Sequence, residues 1–302
     1  MATKITIIAP AGAVDPSLVE GAAERLRSAG LEVTIAPHAR GAYGRFAATD
    51  EERLTDLEAA LHSDADYILC ARGGYGVARI IDRITLPQVK TPVFIGFSDI
   101  TGLHCLMGQE NRLSIHGSMC KALCAAPESE EGRSAEALIR LICKLEAESS
   151  PSPLLHYSLL SYPLNRPGEA TGKLRGGNLS ILCSLHGTPF ACRVDEGDIL
   201  FIEDVGEHPY AIDRMMQHLR LSGMLDKLGG LIVGQFSDTE EDPRMPGTIY
   251  EEIRRMVEPY RYPVIFDFPA GHTDNNMPLM MNATCTMQVV NDQCVNVQFV
   301  NP

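Results

Sequence analysis

The sequence lacks an excess of positive charge, and it lacks any long apolar run. Its 302 residues include 26 Lys and Arg against 39 Asp and Glu, which gives a formal net charge of −13. That charge argues against a nucleic-acid surface and against binding to an anionic membrane. No stretch approaches the roughly 20 continuous apolar residues of a membrane-spanning helix. With 45% apolar residues, the composition is that of an ordinary soluble globular protein.

Several short motifs with well-defined chemistry are also missing. The nine cysteines contain no C-x-x-C pair, so they fit reduced thiols in the cytoplasm better than a zinc site or a disulfide framework. Without H-E-x-x-H, a metallohydrolase is disfavoured, and we expect no metal site. Neither a P-loop nor a G-x-G-x-x-G fingerprint is present. Residues 1–9 have the pattern of a first strand rather than of a signal peptide, which also favours the cytoplasm.

The order of strand and helix signals in the first half predicts a parallel sheet. Residues 4–9 have the pattern of a strand, and residues 31–36 have the pattern of a second one. Between them, Asp15 is placed to cap a helix with Pro16 at its first position, where the missing N–H costs nothing. Such β-α-β units are typical of α/β proteins with a parallel sheet.

The length of the chain allows two domains, and its composition indicates where they divide. Residues 146–155 are polar and contain prolines, which predicts a linker between domains. We expect an N-terminal, Rossmann-like α/β domain with a parallel sheet over residues 1–145. Residues 156–302 are expected to form a smaller, strand-rich α/β domain.

The stretch 93–104 joins a short apolar strand to a helix through Gly96. This strand–turn–helix break puts Ser98 at the crest of the turn, at the positive end of the following helix. A serine in that position can act as a nucleophile. The motif is G-x-S-D and lacks the last glycine of the nucleophile elbow, so an alternative is that Ser98 or Asp99 simply caps the helix.

A glycine-rich turn, Arg72-Gly73-Gly74-Tyr75-Gly76, follows the preceding strand. In an open parallel sheet, ligands bind beyond the carboxyl ends of the strands, so this turn and Ser98 are expected at one edge. A backbone N–H of Gly73 or Gly74 could then pair with that of Asp99 as an oxyanion hole. The alternative is that the glycines only permit a tight turn.

A serine nucleophile needs a base, and the base needs an orienting partner. His272 is the best candidate base, because it follows a strand and a Pro-Ala-Gly turn; the alternative is a surface-loop histidine. Glu203 ends an apolar strand pattern and can hold an imidazole in one tautomer, although a salt bridge or a cap would also explain it. His116 precedes Gly117 at a strand end and is a candidate for lining the site.

Five short motifs, taken in order, resemble the LD-carboxypeptidases, serine peptidases of the family that also contains the microcin-immunity hydrolases. They are Arg72-Gly73-Gly74-Tyr75-Gly76, Gly96-Phe97-Ser98-Asp99-Ile100-Thr101, Gly176-Gly177-Asn178-Leu179-Ser180, Phe201-Ile202-Glu203-Asp204 through His208-Pro209-Tyr210, and Gly271-His272. The resemblance extends over nearly the whole chain.

The resemblance implies a triad with Ser98 as nucleophile, Glu203 as acid and His272 as base. It also implies an oxyanion hole made by the backbone N–H groups of Asp99 and of the Gly73-Gly74 turn. The implied enzyme is a two-domain, homodimeric, cytoplasmic peptidase of peptidoglycan recycling that needs no metal or organic cofactor. Its implied substrate is an L,D-linked muropeptide tetrapeptide, from which it would release the terminal D-alanine through an acyl-enzyme.

The carboxylate of such a substrate needs a cationic or N–H-rich partner. Arg72 beside the glycine turn and Arg175 before Gly176 are the candidates, and either could instead be an exposed charge. His116 and Asn178 are further candidates for lining the substrate site.

Three other functions remain open at this point. A hydrolase of peptidyl-nucleotide antibiotics in the same family would hold a nucleobase by aromatic stacking, and the chain has no tryptophan. A non-catalytic muropeptide sensor would have an inert Ser98, which the intact Ser, Glu and His set argues against. A glutaminase-like amidotransferase domain would normally have a cysteine in place of Ser98.

Overall fold

Two β-sheets organise the computed structural model, which describes residues 2–147, 153–290 and 294–300. Within these ranges the strands are β1 Lys4–Ile8, β2 Glu32–Ile35, β3 Tyr67–Cys70, β4 Val93–Gly96, β5 Ser114–His116, β6 Leu155–Leu160, β7 Gly168–Asn178, β8 Ile199–Val205, β9 Gly230–Ser237, β10 Val264–Ile265, β11 Leu279–Met281, β12 Thr284–Val290 and β13 Cys294–Phe299. The α-helices are α1 Pro16–Ser28, α2 Asp50–Leu61, α3 Thr101–Gln109, α4 Cys120–Leu123, α5 Glu130–Leu145, α6 Leu179–Leu185, α7 Pro209–Leu221 and α8 Ile249–Met256.

The first sheet has the strand order β11-β5-β4-β3-β1-β2, and β1 to β5 pair in parallel. The predicted opening β-α-β unit is confirmed. The Asp15 carboxylate accepts a hydrogen bond of 2.8 Å from the backbone N–H of Ser17, and Pro16 is the first residue of α1. Burial of apolar side chains such as Val19 and Leu26 of α1 contributes about 1.5–3 kcal/mol each, which holds the helix against the sheet.

The second sheet has the order β10-β9-β8-β7-β12-β13-β6. Its β7, β8, β9 and β10 pair in parallel, whereas β7, β12, β13 and β6 pair antiparallel. Strand β8, between β9 and β7, is buried from Ile199 to Asp204, as expected for a strand covered on both faces. The mixed sheet confirms the expected strand-rich α/β character of the second half.

The two halves of the chain are joined by more than one connection. Strand β11, from the C-terminal half, pairs antiparallel with β5 and so completes the first sheet. The Thr101 hydroxyl of α3 also accepts a hydrogen bond of 2.9 Å from the backbone N–H of Asn178 at the end of β7. Half of the predicted linker, residues 148–152, lies outside the described residues. Domain limits at 145 and 156 therefore stay a prediction.

The ends of the parallel strands define where a site can form. Strands β3, β4 and β5 all finish at the same edge of the first sheet, and the segments that follow them carry Gly73, Ser98 and Ser118. Across the described residues, no helix combines the length and the apolar character needed to cross a membrane.

Candidate active site

Ser98 sits in a strained turn immediately after β4. Its φ angle is +66°, in the left-handed region that non-glycine residues rarely occupy. Packing against Gly73 supports this conformation: a Cβ added at Gly73 would lie 2.7 Å from the Ser98 Cβ and 3.0 Å from its Oγ. The Ser98 side chain does not cap α3. Its hydroxyl forms no hydrogen bond with the described residues, so it is free to react.

Asp99 ties the serine turn to the glycine-rich turn. Its carboxylate is buried and accepts a hydrogen bond of 2.8 Å from the backbone N–H of Val77. Burial raises the pKa of this carboxyl group to about 6. The side chain of Asp99 therefore joins the Ser98 turn to the segment that follows the glycine-rich turn, and we call this contact the Asp99 brace. The backbone N–H of Asp99 remains a candidate oxyanion donor.

The glycine-rich turn leaves backbone donors near Ser98. The Gly73 carbonyl accepts a hydrogen bond of 2.9 Å from the Gly12 N–H, which fixes the turn. Gly74 has φ +95°, which favours glycine. Within the described part of the chain, the N–H groups of Gly73 and Gly74 form no hydrogen bond. This arrangement agrees with the expected oxyanion hole, which stays a prediction.

His272 and Glu203 form a hydrogen-bonded pair. The His272 Nδ1 lies 2.7 Å from the Glu203 Oε2, and the Glu203 side chain is fully buried on β8. Burial by itself would lower the pKa of His272, but the hydrogen bond from the imidazole to Glu203 and the charge of that carboxylate raise it above its usual value. Nδ1 therefore carries the proton that Glu203 accepts, and Nε2 is left to act as a base.

The pair lies beside the serine turn. The ring of Phe97, the residue before Ser98, meets the His272 ring edge-on with centroids 4.9 Å apart. Phe97, His272 and Arg72 line one cavity of about 560 Å³. Ser98 and His272 are not hydrogen-bonded to each other, as is common for catalytic groups before substrate binds. The His272–Glu203 pair therefore lies next to the residue that precedes Ser98, and the arrangement of these three residues as a triad stays a prediction.

The loop that carries His272 is held by side chains outside the predicted set. The Asn276 Oδ1 accepts a hydrogen bond of 3.0 Å from the Gly271 N–H. The Ser237 hydroxyl donates to the His272 carbonyl at 2.9 Å. Sequence reasoning missed Asn276, and its only signal was the polar run that follows His272.

The structure places the candidate substrate-binding residues in different surroundings. Arg72 lines the cavity, and its Nη1 donates to the carbonyl of Ala13 at 2.7 Å. His116 is fully buried behind the rings of Phe97 and Phe201, with centroids 5.6 and 5.1 Å away. Burial lowers the pKa of His116 to about 3, so the ring is neutral. His116 thus supports the site from behind.

The structure does not support Arg175 as a substrate ligand. Its side chain is only 1% exposed and pairs with Asp198 at 3.1 Å. Its remaining N–H groups donate to Asn282 and Asn111 at 2.8 and 2.6 Å. The guanidinium is therefore used inside the fold, as a buried charge must be.

Asn178 is likewise structural. Its Oδ1 accepts a hydrogen bond of 3.2 Å from the backbone N–H of Ile181, so it caps α6. Its Nδ2 donates to the buried carboxylate of Asp204 at 2.9 Å. The expectation that Asn178 lines the substrate site is not supported, because both ends of its amide are already paired.

A buried arginine that the sequence did not single out as functional organises the glycine-rich turn. Arg53, on α2, is 1% exposed, and its guanidinium donates to the carbonyl groups of Pro10 and Gly76. It also pairs with Asp50.

Among the described residues, no three His, Cys, Asp or Glu side chains are placed to share a metal ion.

Comparison with known proteins places these features in a family. The family model of the LD-carboxypeptidase N-terminal domain matches residues 5–117, and that of the LD-carboxypeptidase C-terminal domain matches residues 171–287. The probable murein peptide carboxypeptidase of Bacillus subtilis is 31% identical, over 96% of this chain and 90% of that protein.

Solved structures agree with this match. The crystal structure of muramoyltetrapeptide carboxypeptidase from Oxalobacter formigenes superposes with a TM-score of 0.84 at 27% identity, over 99% of both chains. The Escherichia coli microcin C7 self-immunity protein MccF gives a TM-score of 0.81 at 18% identity, over 100% of this chain and 97% of that one. This second likeness concerns the fold alone. Together with the family models, these matches confirm the family resemblance that the five motifs indicated. They also confirm the predicted α/β fold.

Proposed function

The chain belongs to the LD-carboxypeptidase family, and from that premise we propose that it is a serine carboxypeptidase that releases the terminal D-alanine from L,D-linked muropeptide tetrapeptides. The observation that carries the proposal is the 2.7 Å bond between His272 and the buried Glu203, placed beside the strained Ser98 turn. The murein peptide and muramoyltetrapeptide substrates in the names of two similar proteins support the substrate class.

In the first step, the Nε2 of His272 takes the hydroxyl proton of Ser98 as the serine oxygen attacks the scissile carbonyl. Glu203 stabilises the imidazolium that forms, because its carboxylate is buried and bonded to Nδ1. His272 must be neutral to accept the proton. Since the pKa of His272 is raised, activity should fall as the pH drops through that raised value.

The negative charge on the carbonyl oxygen would be met by backbone N–H groups of Asp99 and of the Gly73-Gly74 turn. Loss of one such donor typically costs about 100-fold to 1,000-fold in rate. The fixed position of the turn, held by the Gly12 hydrogen bond and by Arg53, suits this role because the donors need no rearrangement during the reaction.

Collapse of the intermediate breaks the C–N bond. His272 gives its proton to the leaving amine of D-alanine, and the acyl group stays on Ser98. A water molecule, deprotonated by His272, then attacks the ester and frees the serine. In this scheme the chain works without a metal or organic cofactor, as a cytoplasmic homodimer in peptidoglycan recycling.

Hydrolysis of peptidyl-nucleotide antibiotics is the second candidate, favoured by the fold shared with MccF and by 32% identity to that protein over 108 residues. The lack of tryptophan removes the strongest stacking side chain for a nucleobase. The muropeptide substrate is therefore the primary proposal.

The test is release of D-alanine from a tetrapeptide that ends in meso-diaminopimelyl-D-alanine. The parent protein should release it, and Ser98→Ala should reduce the rate to near background while its thermal unfolding stays cooperative. A folded parent that releases no D-alanine would refute the proposal, and peptidyl-nucleotide substrates would be assayed next.

A further inference from the structure

One wall of the cavity beside His272 carries polar atoms that the mechanism above does not use. Ser118 and Asn276 both line the cavity and are 1% and 4% exposed. Neither the Ser118 Oγ nor the Asn276 Nδ2 has a hydrogen-bond partner among the described residues. Buried polar groups in folded proteins are almost always paired, so this wall suits a ligand that can pair with both atoms.

The hydrogen bonds of Asn276 determine what that ligand must offer. Its Oδ1 accepts from the Gly271 N–H at 3.0 Å and lies 3.1 Å from the His116 Nε2. A backbone N–H can only donate, so it fixes Oδ1 on that side and Nδ2 on the other. Nδ2 is a donor only, and the Ser118 hydroxyl can donate as well. The ligand must therefore present acceptor oxygens, which an ammonium group lacks.

The strand order places Ser118 on the side of Ser98 opposite the glycine-rich turn. Strand β4 lies between β3 and β5, and Gly96 pairs with His116 in register. The Gly73 turn after β3 therefore flanks Ser98 on one side, and Ser118 after β5 flanks it on the other. With the glycine donors of the expected oxyanion hole on the β3 side, we expect the leaving group on the β5 side, where Asn276 is bonded to the loop that carries His272.

Resting on the proposed function, we propose that Ser118 and Asn276 bind the terminal carboxylate of the leaving D-amino acid. That carboxylate is two bonds from the nitrogen that His272 protonates, so it reaches the residues tied to the His272 loop. Two neutral donors aimed at a carboxylate form charge-assisted hydrogen bonds, which are stronger than neutral ones. The subsite thereby selects substrates in which the scissile bond is the last one.

Each of the two cations that line the cavity has one partner in the fold. The Arg72 guanidinium donates to the Ala13 carbonyl at 2.7 Å. The Lys121 ammonium lies 3.1 Å from the Glu131 carboxylate. Both cations are on exposed side chains, whereas the Ser118 and Asn276 donors are buried and have no partner among the described residues, so water screens the bonds of the buried donors to a carboxylate less.

The test compares the tetrapeptide acid with the same peptide as its C-terminal carboxamide. For the parent, kcat/KM should be higher for the acid. Ser118→Ala should lower kcat/KM for the acid about 10-fold to 100-fold, mainly through KM. The loss should be smaller for the carboxamide, because its neutral oxygen accepts a weaker hydrogen bond. Ser118→Thr keeps a hydroxyl and should retain the preference for the acid. Ser184→Ala, on the exposed surface of α6, is the control and should leave kcat/KM unchanged for both substrates.

A second variant, Asn276→Asp, should replace attraction for the substrate carboxylate with repulsion. Asn276→Asp keeps an acceptor for Gly271 and His116 but replaces the Nδ2 donor with a negative oxygen. The ratio of acid to carboxamide kcat/KM should then fall below that of Ser118→Ala. Calorimetric titration in the Ser98→Ala background gives the same comparison without turnover: the acid should bind more tightly than the carboxamide, and Ser118→Ala should remove the difference.

The outcomes separate this inference from the proposed function. If the parent releases D-alanine but Ser118→Ala lowers kcat/KM equally for the acid and the carboxamide, the carboxylate subsite is refuted and the carboxypeptidase activity stands. If the parent acts on neither peptide, the proposed function fails and the subsite fails with it.

Discussion

Ser98 and His272 come from different sheets, and different kinds of contact hold them. The Ser98 turn is fixed by backbone packing: Gly73 leaves no room beside it, and Asp99 braces the neighbouring loop through the Val77 N–H. The His272 loop is fixed by side chains, through the hydrogen bonds with Glu203 and Asn276.

This difference has consequences for substitution. A contact made by backbone atoms is lost only when something larger is forced into the space. A contact made by a side chain is lost when that one group changes. We therefore expect the base side to be sensitive to isosteric substitutions and the nucleophile side to be sensitive to added volume.

The largest effect is expected from Glu203→Gln. The amide has nearly the same shape, but it no longer stabilises the imidazolium and can impose the wrong tautomer on His272, so kcat should fall about 10⁴-fold. Steady-state kinetics with the tetrapeptide measure this, and Glu207→Gln, a partly exposed residue after β8, is the matched control. A decrease of less than tenfold would show that His272 does not depend on Glu203.

A smaller loss is expected from Gly73→Ala. The added methyl group would lie 2.7 Å from the Ser98 Cβ, so the serine must shift, and a displacement of about 1 Å can cost roughly 100-fold in rate. The control is Gly30→Ala at the end of α1, where φ is +87° and the added Cβ meets nothing within 4 Å. That control should lower stability by about 1–2 kcal/mol and leave kcat unchanged. Full activity of Gly73→Ala would contradict the packing argument.

The sequence predicted the nucleophile side better than the base side, because the first depends on local contacts and the second on contacts between distant parts of the chain. The Ser98 turn is local, so an apolar strand, a glycine and a helix within twelve residues were enough to place it. Glu203 and His272 are 69 residues apart, and the pattern could only rank them until the family resemblance named the pair. Arg175 was misjudged because a sequence does not show that a guanidinium will be buried against Asp198. Asn276 was missed because its role depends on the Gly271 N–H.

The smallest effect on activity is expected from Asp99→Asn, which also tests the brace on the nucleophile side. Asparagine can still accept the hydrogen bond from the Val77 N–H, so kcat should stay within about threefold. Stability should respond to pH, because burial raises the pKa of Asp99 from 3.8 to about 6 in the folded state.

A carboxyl group with a raised folded pKa binds its proton more tightly in the folded chain. Its stabilising contribution is therefore complete below pH 3.8 and is lost as the pH rises through about 6. At about 1.4 kcal/mol per pKa unit, Asp99 should contribute a fall of up to roughly 3 kcal/mol to the free energy of unfolding of the parent across this window. Asp204, whose pKa burial also raises to about 6, keeps its own contribution in Asp99→Asn, so the decrease should be smaller in the variant by the share of Asp99. Urea unfolding at pH 4 and pH 8 measures the difference, with Asp213→Asn on α7 as the control. If the parent and Asp99→Asn show the same dependence on pH, the buried carboxylate is not the group that titrates, and the brace depends on hydrogen bonding alone.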